Sequence, residues 1–314
     1  MKKFISLAIC FVLLASLLTA CGPKDNTQIR VGVLSGPTGM GMAKLMNDNK
    51  DNTEKYDFSI YNSPEVAKDD ILGPNPDLDM LCLPTNVAAT LAAKSGGALT
   101  VLAINCLGSL YLLTDAQTTI SSIADLNGKT IYASVPTSTT GPILQYLLNQ
   151  NGIQANIEFE PDHDALVARV AKGEVPIVVL PEPKVSAALT KAQGYSVDLN
   201  LSAEWDKVSD EPLTMGCIVA RTAFLNEHKG AVDRFLDEYE KSIEYIGNEK
   251  NIDSAAQMIL DAGVLPSAAI AKSALTNLDG SIVYIDGDDM KDALNSFYTA
   301  IGQALPGNGF YYDD

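Results

Sequence analysis

The sequence predicts an α/β protein of two lobes, joined by a hinge of two crossover segments. Strands and helices alternate along most of the chain, the alternation starts afresh near Thr114, and a buried type of strand at Met215–Ala220 follows the second series. Such alternation favours largely parallel sheets covered by helices on both faces. A length of 314 residues also exceeds that of one compact lobe.

Residues 1–28 are predicted to be an export signal and a tether. A positive start with Lys2 and Lys3 precedes an apolar run over residues 4–17, and Leu18-Thr19-Ala20-Cys21 closes the run. This pattern is typical of a secretory signal over residues 1–20, and the run is short for a membrane-spanning helix. The closing motif resembles the bacterial lipobox, which implies a lipid on Cys21 and a polar tether over residues 21–28. An ordinary signal peptide or a membrane anchor is the alternative.

The first lobe is predicted to comprise residues 29–113 and 213–314. Runs of β-branched and apolar residues predict its strands, and apolar residues at helical spacing predict its helices. The predicted strands are Ile29–Leu34, Phe58–Tyr61, Met80–Leu83, Thr100–Asn105, Ser109–Leu113 and Met215–Ala220. The predicted helices are Thr38–Asn47, Glu65–Ile71, Val87–Lys94, Lys229–Ile246, Asp253–Ala262, Pro266–Asn277 and Asp288–Ala304.

The second lobe is predicted to comprise residues 114–212. Its strands are predicted at Thr130–Ser134, Ile157–Phe159, Pro176–Leu180 and Tyr195–Leu199, and its helices at Pro142–Asn149, Asp164–Lys172 and Pro183–Gln193. A chain that leaves one lobe and later returns makes two crossings. Paired crossings form a hinge, and hinged lobes close around a ligand.

Charge and cysteine content narrow the classes of function. The net charge of -17 argues against binding to nucleic acid or to an anionic lipid surface. Of the five cysteines, Cys10 lies in the signal and Cys21 at the lipidation motif. Cys82, Cys106 and Cys217 lie in apolar runs and are predicted to be buried free thiols. An exported protein without evident disulfides suits a Gram-positive surface better than a periplasm.

Small polar residues follow the predicted strands in both lobes. In open α/β sheets ligands bind at the carboxyl ends of the strands, against helix N-termini. We therefore expect a cleft there. Single hydroxyls such as Thr85 and Thr137 have the alternative role of plain helix caps, and Gly36, Gly39 and Gly41 lack the spacing of a dinucleotide fingerprint. The candidate ligand contacts are Ser35, Thr38, Gly39, Met40, Asn62, Thr85, Asn86, Thr137, Ser138, Thr139 and Glu182.

Support for catalysis is poor in the sequence. The two histidines, His163 and His228, lie in polar, loop-like settings and are predicted to be solvated. The sequence has no nucleophile elbow, zinc-binding helix or phosphate-binding loop. Residues 286–289 are acidic but lack the spacing of a calcium loop and predict a helix start. We therefore expect no enzyme activity, no cofactor and no metal.

Two stretches carry a resemblance to a known family. Residues 125–129, Asp-Leu-Asn-Gly-Lys, with the turn at 137–140, Thr-Ser-Thr-Thr, are similar to its DL-x-GK strand and Ser/Thr-rich ligand turn. Residues 165–175 and Leu180-Pro181-Glu182-Pro183 are similar to its dAl-x-AL-x-xGevDa…-x-EP run. On these residues the chain resembles the type II solute-binding lipoproteins of ABC importers, in the group that binds nitrate, alkanesulfonates, taurine or thiamine precursors. The resemblance extends in order from Ile29 to Leu305.

The resemblance departs from the family pattern at Val175-Pro176-Ile177, where an acidic residue is usual. It implies the type II periplasmic-binding-protein fold, with a small solute, an ABC permease and its ATPase as partners. Membrane contact is expected only through the lipid, on an extracytoplasmic monomer. Family precedent places Thr38, Thr85, Asn86, Thr137, Ser138, Thr139 and Glu182 in the cleft.

The ligand class is left open at this point. Glu182 suits an amine-bearing or neutral heterocycle, such as a thiamine precursor, as a hydrogen-bond acceptor. An alkanesulfonate, taurine or nitrate type of anion is the alternative. It ranks second because Lys184 is the only basic residue in the candidate turns, so an anion would depend on helix ends and hydroxyls. Two other classes are a cofactor-biosynthesis enzyme of the same fold and a surface adhesin, for which the aromatic Phe310-Tyr311-Tyr312 is the one indication.

Overall fold

The computed structural model describes residues 25–134 and 139–313. Within these residues the chain forms two lobes, each built on one β-sheet that is covered by helices. The predicted two-lobed α/β fold is confirmed. The predicted signal over residues 1–20, the lipidation of Cys21, and the turn residues Thr137 and Ser138 lie outside the described residues.

The first lobe has a six-stranded sheet in the order β11-β4-β10-β3-β1-β2. β1, β2 and β3 are parallel to one another, and β10 is antiparallel to both β3 and β4. The strands are β1 (Ile29–Leu34), β2 (Tyr56–Tyr61), β3 (Met80–Pro84), β4 (Leu99–Leu107), β10 (Thr214–Arg221) and β11 (Ile282–Ile285).

The second lobe has a five-stranded sheet in the order β7-β6-β8-β5-β9. β6 is parallel to β7 and β8, and β5 is antiparallel to β8 and β9. The strands are β5 (Leu110–Asp115), β6 (Thr130–Ser134), β7 (Asn156–Glu160), β8 (Ile177–Pro181) and β9 (Tyr195–Asn200).

Helices cover both sheets. Those of the first lobe are α1 (Pro37–Met40), α2 (Ala43–Asn49), α3 (Pro64–Leu72), α4 (Thr85–Lys94), α9 (Thr222–Glu227), α10 (Lys229–Ile246), α11 (Ile252–Asp261), α12 (Ala268–Asn277) and α13 (Gly287–Ala300). Those of the second lobe and its return are α5 (Thr140–Gln150), α6 (His163–Ala171), α7 (Lys184–Lys191) and α8 (Leu201–Trp205). Among the described residues, no helix has the length and apolar character needed to cross a membrane.

Two features of the sheets differ from the sequence prediction. Both sheets are mixed where parallel sheets were expected, because the first strand after each crossing, β5 and then β10, runs against its neighbours. In addition, β5 belongs wholly to the five-stranded sheet, whereas the predicted boundary after residue 113 falls inside it. The chain therefore crosses between the lobes at residues 108–109 and returns over residues 201–213.

The single tryptophan lies where the two lobes meet. Trp205, fully buried at the end of α8, has its ring centroid 4.8 Å from Tyr146 of α5 and 6.0 Å from Phe297 of α13. Its Nε1 donates to the backbone oxygen of Glu211 at 2.9 Å. The return crossing is therefore packed against both lobes.

The thiols and the carboxyl-terminal aromatics belong to the core. Cys82, Cys106 and Cys217 are buried free thiols, as predicted. Phe310 is 3% exposed, and Tyr311 forms a bridge with Val101. Because Phe310 is buried and Tyr311 and Tyr312 are partly buried against the core, this end of the chain does not form the exposed aromatic patch that the adhesin alternative requires.

Candidate functional site

The two sheets present the carboxyl ends of their strands to the space between the lobes. β10 is antiparallel to both β3 and β4, so β1, β2, β3 and β4 all end at one edge of the first sheet. β5 is antiparallel to both β8 and β9, so β6, β7 and β8 likewise end at one edge of the second. This is the position in which open α/β sheets bind ligands.

A cavity of about 520 Å³ lies between these two edges. The first lobe contributes Ser35 and Gly36 after β1, Asn62 after β2, and the connection from α11 to α12. The second lobe contributes the start of α7 and Asp164 of α6. Its size fits a small molecule.

A larger groove, of about 1050 Å³, runs between α5 and α13. None of the predicted ligand residues that the structure describes lines it. The smaller cavity is the better candidate because it lies at the strand ends and receives residues from both sheets.

The polar groups of the cavity come in two facing pairs. Ser35 Oγ donates to Asn62 Oδ1 at 3.2 Å in the first lobe. Lys184 Nζ donates to Asp164 Oδ1 at 2.5 Å in the second. The side chain of Asp164 is 78% exposed, so solvent screens this ion pair. Apolar side chains of the connection between α11 and α12, among them Val264, Leu265 and Ile270, form a third wall.

Glu182 lies beside the cavity but its carboxylate is used within the protein. The residue is 1% exposed. Its Oε1 accepts from Asn277 Nδ2 at 2.5 Å and from Ser186 Oγ at 3.1 Å, and its Oε2 accepts from the Ser186 backbone nitrogen at 3.2 Å. Burial raises the pKa of Glu182, although these hydrogen bonds act in the opposite direction. The sequence prediction of an open acceptor for an amine therefore loses its main support.

The Glu182 contacts also join the lobes. Asn277 ends α12 of the first lobe, and its backbone oxygen accepts from the Tyr111 hydroxyl of β5. Ser186 Oγ also lies 2.9 Å from Ser273 Oγ of α12, within hydrogen-bonding distance. We call Glu182, Ser186 and Tyr111, together with Asn277 and Ser273, the interlobe latch.

Thr38 and Thr85 come together in a second group, around the start of β10. Thr85 is fully buried and its Oγ1 donates to the Thr214 backbone oxygen at 3.1 Å. Asn105 Nδ2 donates to the Thr38 backbone oxygen at 3.0 Å and lies 3.0 Å from the Tyr239 hydroxyl. Asn105 was missed by the sequence analysis, because it lies inside an apolar strand and its polar contacts come from distant parts of the chain.

Gly39 and Met40 are placed in the packed interior of the first lobe, which argues against the predicted ligand contacts. Met40 has no exposed surface and belongs to the hydrophobic core. A Cβ on Gly39 would lie 2.0 Å from the Leu34 backbone oxygen. The glycine is needed so that α1 can pack against the end of β1.

Asn86 and Thr139 lie at helix starts that border the cleft. The Asn86 backbone oxygen accepts from Gln303 Nε2 at 2.9 Å, and Thr139 is the residue before α5, accepting from the Ile143 backbone nitrogen at 3.2 Å. Both residues are half-buried.

His163 is the residue that sequence reasoning placed wrongly. It was predicted to be a solvated loop histidine, but it begins α6, and its Nε2 lies 2.9 Å from Ser134 Oγ and 3.2 Å from Thr140 Oγ1. Burial, and then the nearby Lys184 ammonium, lower the pKa of His163 from 6.5 to about 4. The imidazole is therefore neutral at pH 7.

Nucleophilic and metal chemistry find little support in the described residues. Burial raises the pKa of the Cys82 and Cys106 thiols to about 12, far from thiolate character at neutral pH. No group of three or more histidine, cysteine, aspartate or glutamate side chains is placed to hold a metal among the residues that the structure describes. The arrangement is suited to holding a small polar molecule by hydrogen bonds.

The fold and the interlobe cavity are similar to those of the two-lobed solute-binding proteins of ABC transporters. Residues 77–215 match the family model of the periplasmic substrate-binding proteins of phosphonate ABC transporters. The resemblance that the sequence motifs indicate is thereby confirmed. No relative among the curated protein sequences matches the chain.

Solved structures share the fold at low identity. An ABC transporter protein of Parabacteroides distasonis is 20% identical with a TM-score of 0.72, over 92% of this chain and 99% of that one. The periplasmic aliphatic sulphonate binding protein SsuA of Escherichia coli is 16% identical with a TM-score of 0.70, over 91% and 92%. The zinc-bound ligand-binding component of an ABC-type import system of Staphylococcus aureus is 12% identical with a TM-score of 0.70, over 91% and 97%.

Proposed function

We propose that this chain is the extracytoplasmic solute-binding lipoprotein of an ABC importer, which captures a small polar solute between its lobes and delivers it to a permease without transforming it. One observation carries the proposal: the strand ends of both sheets face a single cavity that receives polar side chains from both lobes. The phosphonate-transporter family match over residues 77–215 supports it.

Ligand capture would use hydrogen bonds and helix ends. α7 begins at the cavity with Lys184, so its free backbone N–H groups and the positive end of its dipole would be available to a bound solute. Closure would turn the lobes about the crossings at residues 108–109 and 201–213.

An acidic solute of the phosphonate or sulfonate type is the ligand class we favour. Lys184 supplies a cation at the cavity, and helix N-termini favour anions. The amine-bearing or neutral heterocycle is the second candidate. It depended on Glu182, whose carboxylate is satisfied by Asn277 and Ser186.

A thermal-shift panel tests the function and the ligand class together. The panel holds methylphosphonate, ethanesulfonate, taurine, nitrate and an aminopyrimidine. A compound at about 100 times its dissociation constant adds about 2.7 kcal/mol of stability and raises the melting temperature by roughly 5–10 °C. We expect the phosphonate or sulfonate to do so; stabilisation by the aminopyrimidine alone would reverse the ranking.

Lys184 provides the site-directed test of the same proposal. Replacing it with glutamine removes the charge and leaves a side chain of similar polarity. We expect Lys184→Gln to weaken the binding of the acidic compound at least about tenfold, the effect of losing a charge-assisted hydrogen bond. Lys191→Gln, at the exposed far end of the same helix, is the matched control and should leave affinity unchanged. Equal affinities of the wild type, Lys184→Gln and Lys191→Gln would show that this cavity is not the binding site.

The lipid anchor at Cys21, and with it the Gram-positive surface location, is a further part of the proposal. The chain enters the fold at residues 25–27, where Arg234 Nη2 donates to the Thr27 backbone oxygen at 3.0 Å and His228 Nδ1 lies 3.2 Å from Thr27 Oγ1. This entry point lies at the end of β1 away from Ser35, so an anchor there leaves the cleft unobstructed.

Metabolic labelling with a radioactive fatty acid tests the anchor. The wild-type protein should carry the label and sediment with membranes, whereas Cys21→Ser should be unlabelled and appear in the soluble fraction. Cys82→Ser is the control and should retain the label, since that thiol is buried. An unlabelled wild-type protein would refute lipidation without affecting the binding proposal.

A further inference from the structure

Two ionised side chains line the interlobe cavity, and they are paired with each other. Lys184 Nζ donates to Asp164 Oδ1 at 2.5 Å. Among the described residues, neither side chain has another ion-pair partner. The other side chains that line the cavity are uncharged. The fixed charges of the cavity therefore sum to zero, although the chain as a whole carries a net charge of -17.

Lys184 occupies a position that does not help the stability of its own helix. It is the first residue of α7, at the positive end of the helix dipole, where a cation is unfavourable. Asp164 lies in the first turn of α6, where a carboxylate is favourable. The ammonium of Lys184 and the dipole of α7 together concentrate positive potential at the cavity, and Asp164 is the charged group that offsets it.

This ion pair competes with an acidic solute for Lys184. A sulfonate or phosphonate that binds the ammonium has to displace the Asp164 carboxylate, and the two negative groups then lie close to each other and repel. The side chain of Asp164 is 78% exposed, so the pair is weak enough for a solute to open. Once the pair is open, a new cationic partner for Asp164 removes the repulsion.

We propose that Asp164 is a specificity-determining residue of the cavity: it favours a solute with a cationic amine close to its acidic group, since the acid takes Lys184 and the amine takes Lys184's place on Asp164. This inference rests on the proposed function, in which the cavity is the binding site. The apolar side chains of Ala187, Leu265 and Ile270 line the same cavity and would pack against the short carbon chain between amine and acid. A purely anionic solute gains one charged contact and breaks another.

Taurine and isethionate are a matched pair of probes, because isethionate carries a hydroxyl where taurine carries its ammonium. Calorimetric titration measures the affinity of each compound for wild type, Asp164→Asn and Asp253→Asn. Asp253 is the matched control: it forms an ion pair of the same length, 2.5 Å, with Lys272, and its side chain is 80% exposed. Neither Asp253 nor Lys272 lines the cavity.

The two compounds should respond to Asp164→Asn in opposite directions. We expect wild type to bind taurine about tenfold more tightly than isethionate, the factor for one charge-assisted hydrogen bond. In Asp164→Asn the affinity for taurine should fall about threefold. The affinity for isethionate should rise about threefold, because no carboxylate then competes for Lys184. Asp253→Asn should match wild type for both compounds.

A structural role of Asp164 would change both affinities in the same direction. That result, or equal wild-type affinities for taurine and isethionate, would overturn selection by Asp164 and leave solute binding in the cavity intact. If neither compound binds wild type or Asp164→Asn, the sulfonate class fails and this inference fails with it. Stabilisation by another compound of the thermal-shift panel would then still support the solute-binding function.

Discussion

Gly39 occupies a place in the fold where no side chain fits. The built Cβ would lie 2.0 Å from the Leu34 backbone oxygen and 2.8 Å from Val33 Cγ1. The strand β1 and the short helix α1 can therefore approach only if this position has no Cβ. Its role is to set the shape of the turn after β1, which contains Ser35 and Thr38.

We predict that Gly39→Ala destabilises the protein by about 2–3 kcal/mol, the cost of forcing a backbone shift in a packed interior. Urea unfolding measures this. Gly307→Ala is the control, because its Cβ meets nothing within 4 Å and the change should be within about 0.5 kcal/mol. Equal stability of the two variants would show that α1 moves freely away from β1.

Asp79 connects three strands of the first sheet at the edge away from the cleft. It is 3% exposed and accepts from Arg30 of β1 at 2.8 Å and from Arg221 of β10 at 2.7 Å. Burial acts to raise the pKa of Asp79, but the hydrogen bonds from Arg30 and Arg221 outweigh it and hold the pKa below its usual value. A carboxylate thus takes the place of further apolar packing at this sheet edge.

We predict that Asp79→Asn costs about 2–4 kcal/mol at neutral pH, since it leaves two guanidinium groups without their charge partner. A carboxyl with a lowered folded pKa contributes stability that is complete above its unfolded value, about 3.9, and is lost as the pH falls through the folded value. The difference between wild type and Asp79→Asn should therefore shrink below pH 4 in urea unfolding. The control is Asp48→Asn. Asp48 forms a solvent-exposed i,i+4 ion pair with Lys44, so its replacement should have little effect on the free energy of unfolding at any pH.

The local pattern of apolar and polar residues was enough to predict most helices and strands, but not how the strands pair within the sheets. Ile29–Leu34 was predicted with its observed ends, because a β-branched run stops at Ser-Gly-Pro. The direction of β10 was not predicted, because an apolar run looks the same in either direction. The four-residue strand β11 was missed because it is too short for a pattern.

The site was harder to predict for the same physical reason. Ser35 and Asn62 follow strands, which is a local signal, and in the structure both line the cavity. The roles of Glu182 and His163 depend on partners 95 and 29 residues away, which no local pattern contains. The prediction of solvated histidines therefore failed at His163, while the predicted buried thiols, which lie in apolar runs, are confirmed.

The interlobe latch makes the relative position of the two lobes depend on one buried carboxylate. Glu182 and Ser186 belong to the second lobe, whereas Asn277 and Ser273 belong to α12 of the first. These bonds can form only while α7 and α12 are in contact. The latch therefore favours the arrangement of the lobes seen in this structure, and its strength sets part of the free energy needed to separate α7 from α12.

We predict that Asn277→Asp opens the ligand-free protein, because a second carboxylate would face Glu182 Oε1 where the amide nitrogen now lies at 2.5 Å. Small-angle X-ray scattering at pH 7.5 should show a larger radius of gyration than for wild type. At pH 5 the two carboxyls can share a proton and the difference should diminish. Thr276→Ala, on the exposed face of α12, is the control, and an unchanged radius in Asn277→Asp would mean that the latch does not hold the lobes.

Where the chain enters the fold has a practical consequence. Asp25 and Thr27 are fixed to α10 by Arg234, at the opposite end of β1 from Ser35, and six strand residues span roughly 20 Å. If the protein were attached to a sensor chip or an electrode by its amino terminus, the cavity beside Ser35 would therefore face the bulk solution. Surface-immobilised detection of the solute should need no engineered linker or change of orientation.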